Sequence, residues 1–380
     1  MIGSGDGGCK LKIAFVTGGG DCAGINSALA RCILHGAAKY GDTFVGIKKA
    51  FEGLAANSVE DYLVELDTSD AHRIFDEPST ILGSSRFAPF SDENKSWAPQ
   101  RILDNLKKLG VDAIIATGGN DTIGSALGVH NINFPIIAIP KSIDNDISGT
   151  DWMLGAHTAI DFAARAFRST SVSAETHARI SVNEIMGRQA GWLAFFAGVA
   201  SGADIILVPE KPFRLSALIN RVRYLNETRG FVNIVVSEGI NFKQDDPVYQ
   251  KAIADDAKDL VLKAMLSEEP EVDPHGNIKL GGAGIIIQRI LVHGLGLALS
   301  RVRQSNIGFA LRGLRPNAYD IDLGQRFGRK AVELLHQGQS GYMVGIRGME
   351  IVSVPMAEAL PQYTLDAMDD DELKDLGVFF

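Results

Sequence analysis

The segment Ser142-Ile143-Asp144-Asn145-Asp146 sets two carboxylates two residues apart, directly after an apolar run and a Pro140-Lys141 pair. Carboxylates beside a buried strand are costly unless solvated or used. One can take the proton of an attacking hydroxyl while the other stands near a metal ion. The alternative is an Asx turn with helix capping. Two glycine turns pose a similar choice. Gly18-Gly19-Gly20-Asp21 follows the apolar run 12–17, and Gly118-Gly119, trailed by Asn120 and Asp121, follows the run 111–116. Residues without side chains let backbone N–H groups and a helix N-terminus approach an anion. Two such turns in one sheet point to a polyphosphate cleft, and the alternative is a pair of tight structural turns. Neither is G-x-G-x-x-G and neither carries the G-K-[ST] of a Walker A loop, which demotes a dinucleotide site. Met186-Gly187-Arg188-Gln189-Ala190-Gly191 puts an arginine at the end of the run 179–185. That arginine can neutralise a transferring phosphoryl group or make a surface ion pair, and Glu238 and Arg312 face the same ambiguity. His35, His72, His157, His177 and His293 are scattered without ligand spacing and read as structural or surface residues.

The elements that position these groups are short and apolar. The runs 12–17, 111–116, 134–139, 205–208 and 232–236 each stop at a turn, and amphipathic stretches such as 25–40 separate them. Continuous apolar strands alternating with helices predict an α/β fold with mainly parallel sheets covered on both faces. In such sheets ligands bind beyond the carboxyl ends of the strands, where the residues above lie. The acidic stretch 364–374 is expected to be a solvated tail helix.

With 37 basic and 46 acidic side chains, the net charge of −9 argues against a general nucleic-acid or anionic-membrane binder. A local cationic pocket for a small anion stays open. Cys9, Cys22 and Cys32 give an odd count without C-x-x-C spacing, so a reducing, cytoplasmic setting is expected. No secretory signal and no bilayer-spanning run is visible. The length suggests two or three domains.

Taken together, seven stretches resemble the phosphofructokinase family: TGGGDCAGIN (17–26), ILGSSRF (81–87), ATGGNDT (116–122), IPKSIDND (139–146), RISVNEIMGRQAG (179–191), GADIILVPE (202–210) and VVSEG (235–239). The resemblance runs from about residue 12 to 348. It implies two Rossmann-like domains, usually in an oligomer, here a homodimer or homotetramer. The implied reaction moves a phosphoryl group from ATP or pyrophosphate to the 1-hydroxyl of fructose 6-phosphate, with Mg²⁺. On this resemblance a donor-phosphate domain spans 12–150. A sugar-phosphate domain spans 151–345, with the chain crossing back to the first domain, and 346–380 is a C-terminal tail.

The resemblance also implies residue roles. Gly19, Arg86, Phe87 and Gly119 match the donor side. Asp144 matches the catalytic base, and Ser142 stands where the family has threonine. Asn120 and Asp146 match the metal site, although the family carries an acid at the position of Asn120. Met186, Gly187 and Arg188 match the sugar-phosphate and transition-state segment, and Arg179 matches the arginine that in family tetramers reaches the sugar phosphate of a neighbouring subunit. Glu238 matches a glutamate that binds sugar hydroxyls, and Arg312 a retained substrate arginine. Around Arg312 the segment 308–322 departs from the family pattern, with Leu311, Leu314, Arg315 and Ile321 replacing polar or small residues. The acceptor is therefore fructose 6-phosphate or a related sugar phosphate, with Arg179, Arg312 and Arg315 as alternative phosphate ligands.

Asp121 and Lys141 bear on the donor, because the family's ATP enzymes carry glycine at both positions. A carboxylate about 4 Å from a nucleotide phosphate costs on the order of 4 kcal/mol at an effective dielectric near 20, roughly a thousandfold in affinity. Lysine supplies a point charge to the leaving phosphate. The pair resembles the pyrophosphate-dependent branch, with Asp121 and Lys141 joining Asp144 and Arg188 in catalysis. The alternatives are an ATP-dependent 6-phosphofructokinase, a non-catalytic sugar-phosphate-binding member and, more distantly, an NAD or lipid kinase.

Overall fold

β1 (Lys12–Thr17) is buried along nearly its whole length, as a central strand with a helix on each face must be. Alternate residues serve opposite faces. Ala14 and Val16 join Ile114, Ala116, Ile102, Leu106, Ile123 and Val129 in one cluster, while Ile13 and Phe15 are equally buried outside it. The computed structural model describes residues 9–254, 259–267 and 280–380.

The strands continue as β2 (Thr43–Ile47), β3 (Leu63–Leu66), β4 (Ala113–Gly118), β5 (Ile136–Pro140), β6 (Ile180–Ile185), β7 (Ile205–Leu207), β8 (Val232–Ser237), β9 (Val302–Asn306), β10 (Tyr342–Arg347) and β11 (Glu350–Pro355). The first sheet has the order β11-β10-β5-β4-β1-β2-β3 and the second β7-β8-β6-β9. Pairing is parallel except at the two edges of the first sheet, β2 with β3 and β10 with β11. This is the expected α/β class.

Unit 1 comprises 1–158 and 312–362, and unit 2 comprises 159–311 and 363–380. The expected boundaries are corrected accordingly. The first unit extends past 150 because Asp320 binds Gly155 and Thr158 through their backbone N–H groups at 2.9 and 2.8 Å. The chain crosses back to unit 1 at 312, since the helix Ala318–His336 packs on the helix Ile25–Tyr40 and leads into β10 and β11. Glycines at 324 and 328 let those two helices approach, and a Cβ at Gly324 would lie 2.8 Å from Ser27 Cβ.

The tail is not a free domain or a fully solvated helix. Leu365, Leu373 and Val378 are buried in unit 2, and the Phe379 N–H donates to Ile206 O at 3.0 Å. Glu210 holds this segment with one oxygen that accepts from Gly191 N at 2.8 Å and Leu365 N at 3.0 Å. Burial pushes the Glu210 carboxyl above its ordinary range.

Two strands begin later than the apolar runs predict. Val111 N–H instead closes the helix before β4 by donating to Leu106 O, and Phe134 N–H does the same before β5 by donating to Val129 O. Among the described residues no helix is long and apolar enough to cross a membrane.

Candidate active site

In unit 1 the two glycine turns lie at the carboxyl ends of neighbouring parallel strands, with Val16 beside Ala116 and Thr17 beside Thr117. Gly18 N–H donates to Thr117 O at 2.9 Å and Gly19 N–H to Ser85 O at 3.0 Å. The Ser84 hydroxyl donates to Gly19 O. Gly19 adopts φ 76°, a left-handed conformation that favours glycine. Thr122, buried on the helix Asn120–Asn131, fills the space that a Cβ at Gly18 or Gly118 would take. It is a residue that sequence reasoning missed, and a threonine wedged between two glycine turns leaves no spacing signal.

Lys141 is the hinge of the cluster. Its N–H donates to Gly118 O at 3.0 Å, and its ammonium donates to Gly20 O. A Cβ at Gly19 would lie 3.1 Å from that ammonium. The lysine is only 3% exposed. Burial pulls its pKa down to about 8, with Arg312 pushing the same way and Asp21 and Asp144 opposing.

Asp144 is buried, and its N–H is held by Ser142 Oγ at 3.1 Å. Asn145 sits at φ 53°. Its side chain fixes the turn by donating to Asp151 O at 3.0 Å and accepting from Met153 N at 2.9 Å. The turn is thus closed by Ser142 rather than by an Asx side chain, and it carries the buried Asp144 and the half-buried Asp146 on a braced backbone.

Gly119 caps the helix Asn120–Asn131 without a side-chain bond, and Asp121 is exposed in its first turn. An acid there also complements the helix dipole. Asn120 Oδ1 is buried without a hydrogen-bond partner among the described residues. An orphaned amide oxygen is a donor that a hard cation accepts, so Asn120 fits a magnesium ligand. Among the described residues no three His, Cys, Asp or Glu side chains gather as a metal cluster. On the donor loop Arg86 is exposed, whereas the Phe87 ring packs against the core, 5.9 Å from Trp97 between centroids.

Unit 2 holds the other set. The loop after β6 holds Gly187 at φ 146° and Arg188 at φ 52°. One oxygen of Glu238 accepts from both their N–H groups, at 3.3 and 3.0 Å, so this glutamate shapes the loop. A Cβ on Gly239 would overlap the Arg188 carbonyl. Met186 and Arg188 are half-buried.

Arg179 lines a cavity of about 170 Å³ together with Ser173, Ser181, Asn183, Arg303 and Ser305. Asn183 organises its floor, accepting from Thr170 Oγ1 at 2.8 Å and Ser305 Oγ at 2.7 Å. Arg303 escaped sequence reasoning because β9 was not recognised as a strand. Register places it opposite Ser181, one position from Ile180 beside Val302.

Arg312 and Arg315 lie in unit 1. Arg315 is engaged by Asp76 and Glu77 at 3.0 Å each. Arg312 lies on the glycine turn, where a Cβ at Gly20 would come 3.0 Å from its guanidinium carbon.

Comparison with known proteins gives the chain's family and relatives. The family profile described as PFK: Phosphofructokinase matches residues 12–335. The pyrophosphate--fructose 6-phosphate 1-phosphotransferase of Dictyoglomus thermophilum is 37% identical over 91% of this chain and 92% of its own. An ATP-dependent 6-phosphofructokinase of Mycobacterium bovis is 33% identical over 97% of this chain and all of its own (100%). The crystal structure of a pyrophosphate-dependent phosphofructokinase from Nitrosospira multiformis shares the fold, with a TM-score of 0.77 at 20% identity, covering 96% of this chain and 88% of that one.

Proposed function

The chain belongs to the phosphofructokinase family, and on that premise we propose that it transfers a phosphoryl group from pyrophosphate to the 1-hydroxyl of fructose 6-phosphate. The observation that carries the donor choice is Lys141, whose buried ammonium reaches the Gly19-Gly20 turn. The relatives include enzymes named for each donor, so the choice rests on this lysine and on Asp121.

Pyrophosphate binds at Gly19, Gly119, Arg86 and Lys141. Asp144 accepts the proton of the attacking hydroxyl as the new O–P bond forms and the bond to the leaving phosphate breaks. Lys141 and Arg188 stabilise the charge that develops on the transferred and leaving oxygens. Asn120 and Asp146 would hold Mg²⁺, which would neutralise donor oxygens. The acceptor's phosphate is bound by Arg179 and Arg303, whose paired cations and surrounding hydroxyls suit an anion of that size. Met186, Gly187, Arg188 and Glu238 line the sugar. The protein works as a homodimer or homotetramer in the cytoplasm.

The test is phosphoryl transfer to fructose 6-phosphate with Mg²⁺ and either pyrophosphate or ATP. Product from pyrophosphate alone is expected. Product from ATP alone overturns the donor assignment. Silence with both donors, persisting across other sugar phosphates, favours the non-catalytic reading.

A further inference from the structure

Two cations converge on one dipeptide in unit 1. Lys141 donates to Gly20 O, and the Arg312 guanidinium lies over the Gly20 Cα, in the volume a side chain there would need. Gly20 is not among the positive-φ glycines, so its lack of a side chain is explained by this close approach rather than by backbone strain. Arg312 Nε is buried and has no hydrogen-bond partner among the described residues. A half-buried guanidinium with its Nε donor unmet, beside the buried Lys141 ammonium, gains a bond when an anion arrives.

We propose that Arg312 is a donor-phosphate ligand, forming with Lys141 a two-cation clamp over Gly19-Gly20 that grips the phosphate being transferred. This departs from the acceptor role that resemblance gives Arg312, and it rests on reading Gly19-Gly20 as the donor turn. The clamp also accounts for the neutral Asn120. Two fixed cations supply charge that a family site with an acid there draws from its metal.

Kinetics in which each substrate is varied separately tests the clamp, with melting temperature as the folding control. Arg312→Met is expected to raise the KM for pyrophosphate roughly 30-fold, the range of a charge-assisted contact, while moving the KM for fructose 6-phosphate less than about threefold. Arg312→Lys should recover part of the loss. Gly20→Ala, which displaces the guanidinium without deleting it, should shift the same constant in the same direction. Should Arg312→Met fold poorly, the Lys and Gly20 variants decide. A rise confined to the KM for fructose 6-phosphate overturns the clamp and leaves the pyrophosphate reading intact. A wild-type protein that uses ATP alone overturns that reading, and the same split measured with ATP then decides Arg312.

Discussion

The donor-side cluster of unit 1 and the loop-and-cavity set of unit 2 are built by opposite means. In unit 1 the two glycine turns are held by main-chain bonds, with Thr122 packed against them and only the Lys141 and Arg312 side chains reaching the Gly19-Gly20 turn. In unit 2 they are side chains on the strand faces of β6 and β9 and a loop whose conformation depends on one carboxylate. A main-chain site is fixed by sterics and tolerates little change. A side-chain site can be re-tuned residue by residue, which is where a change of acceptor within one fold becomes easy.

The sharpest way to break this comparison is at the proton acceptor. Asp144→Ala should lower turnover by roughly 10³-fold, the scale of a positioned base, while titration with pyrophosphate shows unchanged binding. Near-wild-type turnover would remove Asp144 from the mechanism. Next in size, Asp121→Gly combined with Lys141→Gly should admit ATP and cost pyrophosphate use about 10²-fold. Coupled assays with each donor measure it, and no gain with ATP undercuts the donor argument.

Lys141 also predicts two opposed pH dependences. With its pKa near 8, kcat/KM for pyrophosphate should fall above that pH as the cation is lost. A lysine whose pKa drops below the ordinary 10.5 on folding is destabilising while charged, so stability should rise over the same span, from about 8 upward. Denaturant titrations at pH 7 and 10 in wild type and Lys141→Met read this out, and the variant should lose the slope.

In unit 2, Glu238→Ala frees the Gly187 and Arg188 N–H groups, and the KM for fructose 6-phosphate should rise about tenfold, one charged hydrogen-bond acceptor's worth. Glu238→Gln, which keeps a carbonyl oxygen for both, should rescue most of it. Failure of that rescue would mean the carboxylate acts on the sugar itself. The smallest effect is expected at Arg315, already engaged by Asp76 and Glu77 at the surface. Arg315→Ala should cost below about 1 kcal/mol in a thermal melt and leave both KM values in place. A raised KM for fructose 6-phosphate would make it a phosphate ligand instead.

Legibility in the sequence follows the same divide. β1, β4 and β5 and the turns after them were readable because a buried parallel strand is a mostly apolar run and a tight turn favours glycine. The Ser142–Asp146 segment was readable as a turn, but the side chain that closes it is Ser142, which accepts from Asp144 N, rather than the Asx residue the pattern suggested. Arg303 was not, because β9 reads VRQSN and its alternation is polar. The return of the chain at residue 312 was also hidden, since β10 and β11 complete a sheet begun three hundred residues earlier, and a long-range pairing leaves no local mark. The burial of Leu365 and Leu373 was masked by the acidic residues around them.

The interleaved path of the chain has a consequence for biosynthesis. Unit 1 lacks two strands and a long helix until residue 362 has been made, and unit 2 lacks its closing segment until residues 363–380 have been made. The ordinary order of events on the ribosome, in which an N-terminal domain folds before its successor is translated, is denied to this polypeptide. Until those segments are made the nascent chain carries unfinished sheet edges, and neither unit reaches its final form before the other is nearly complete.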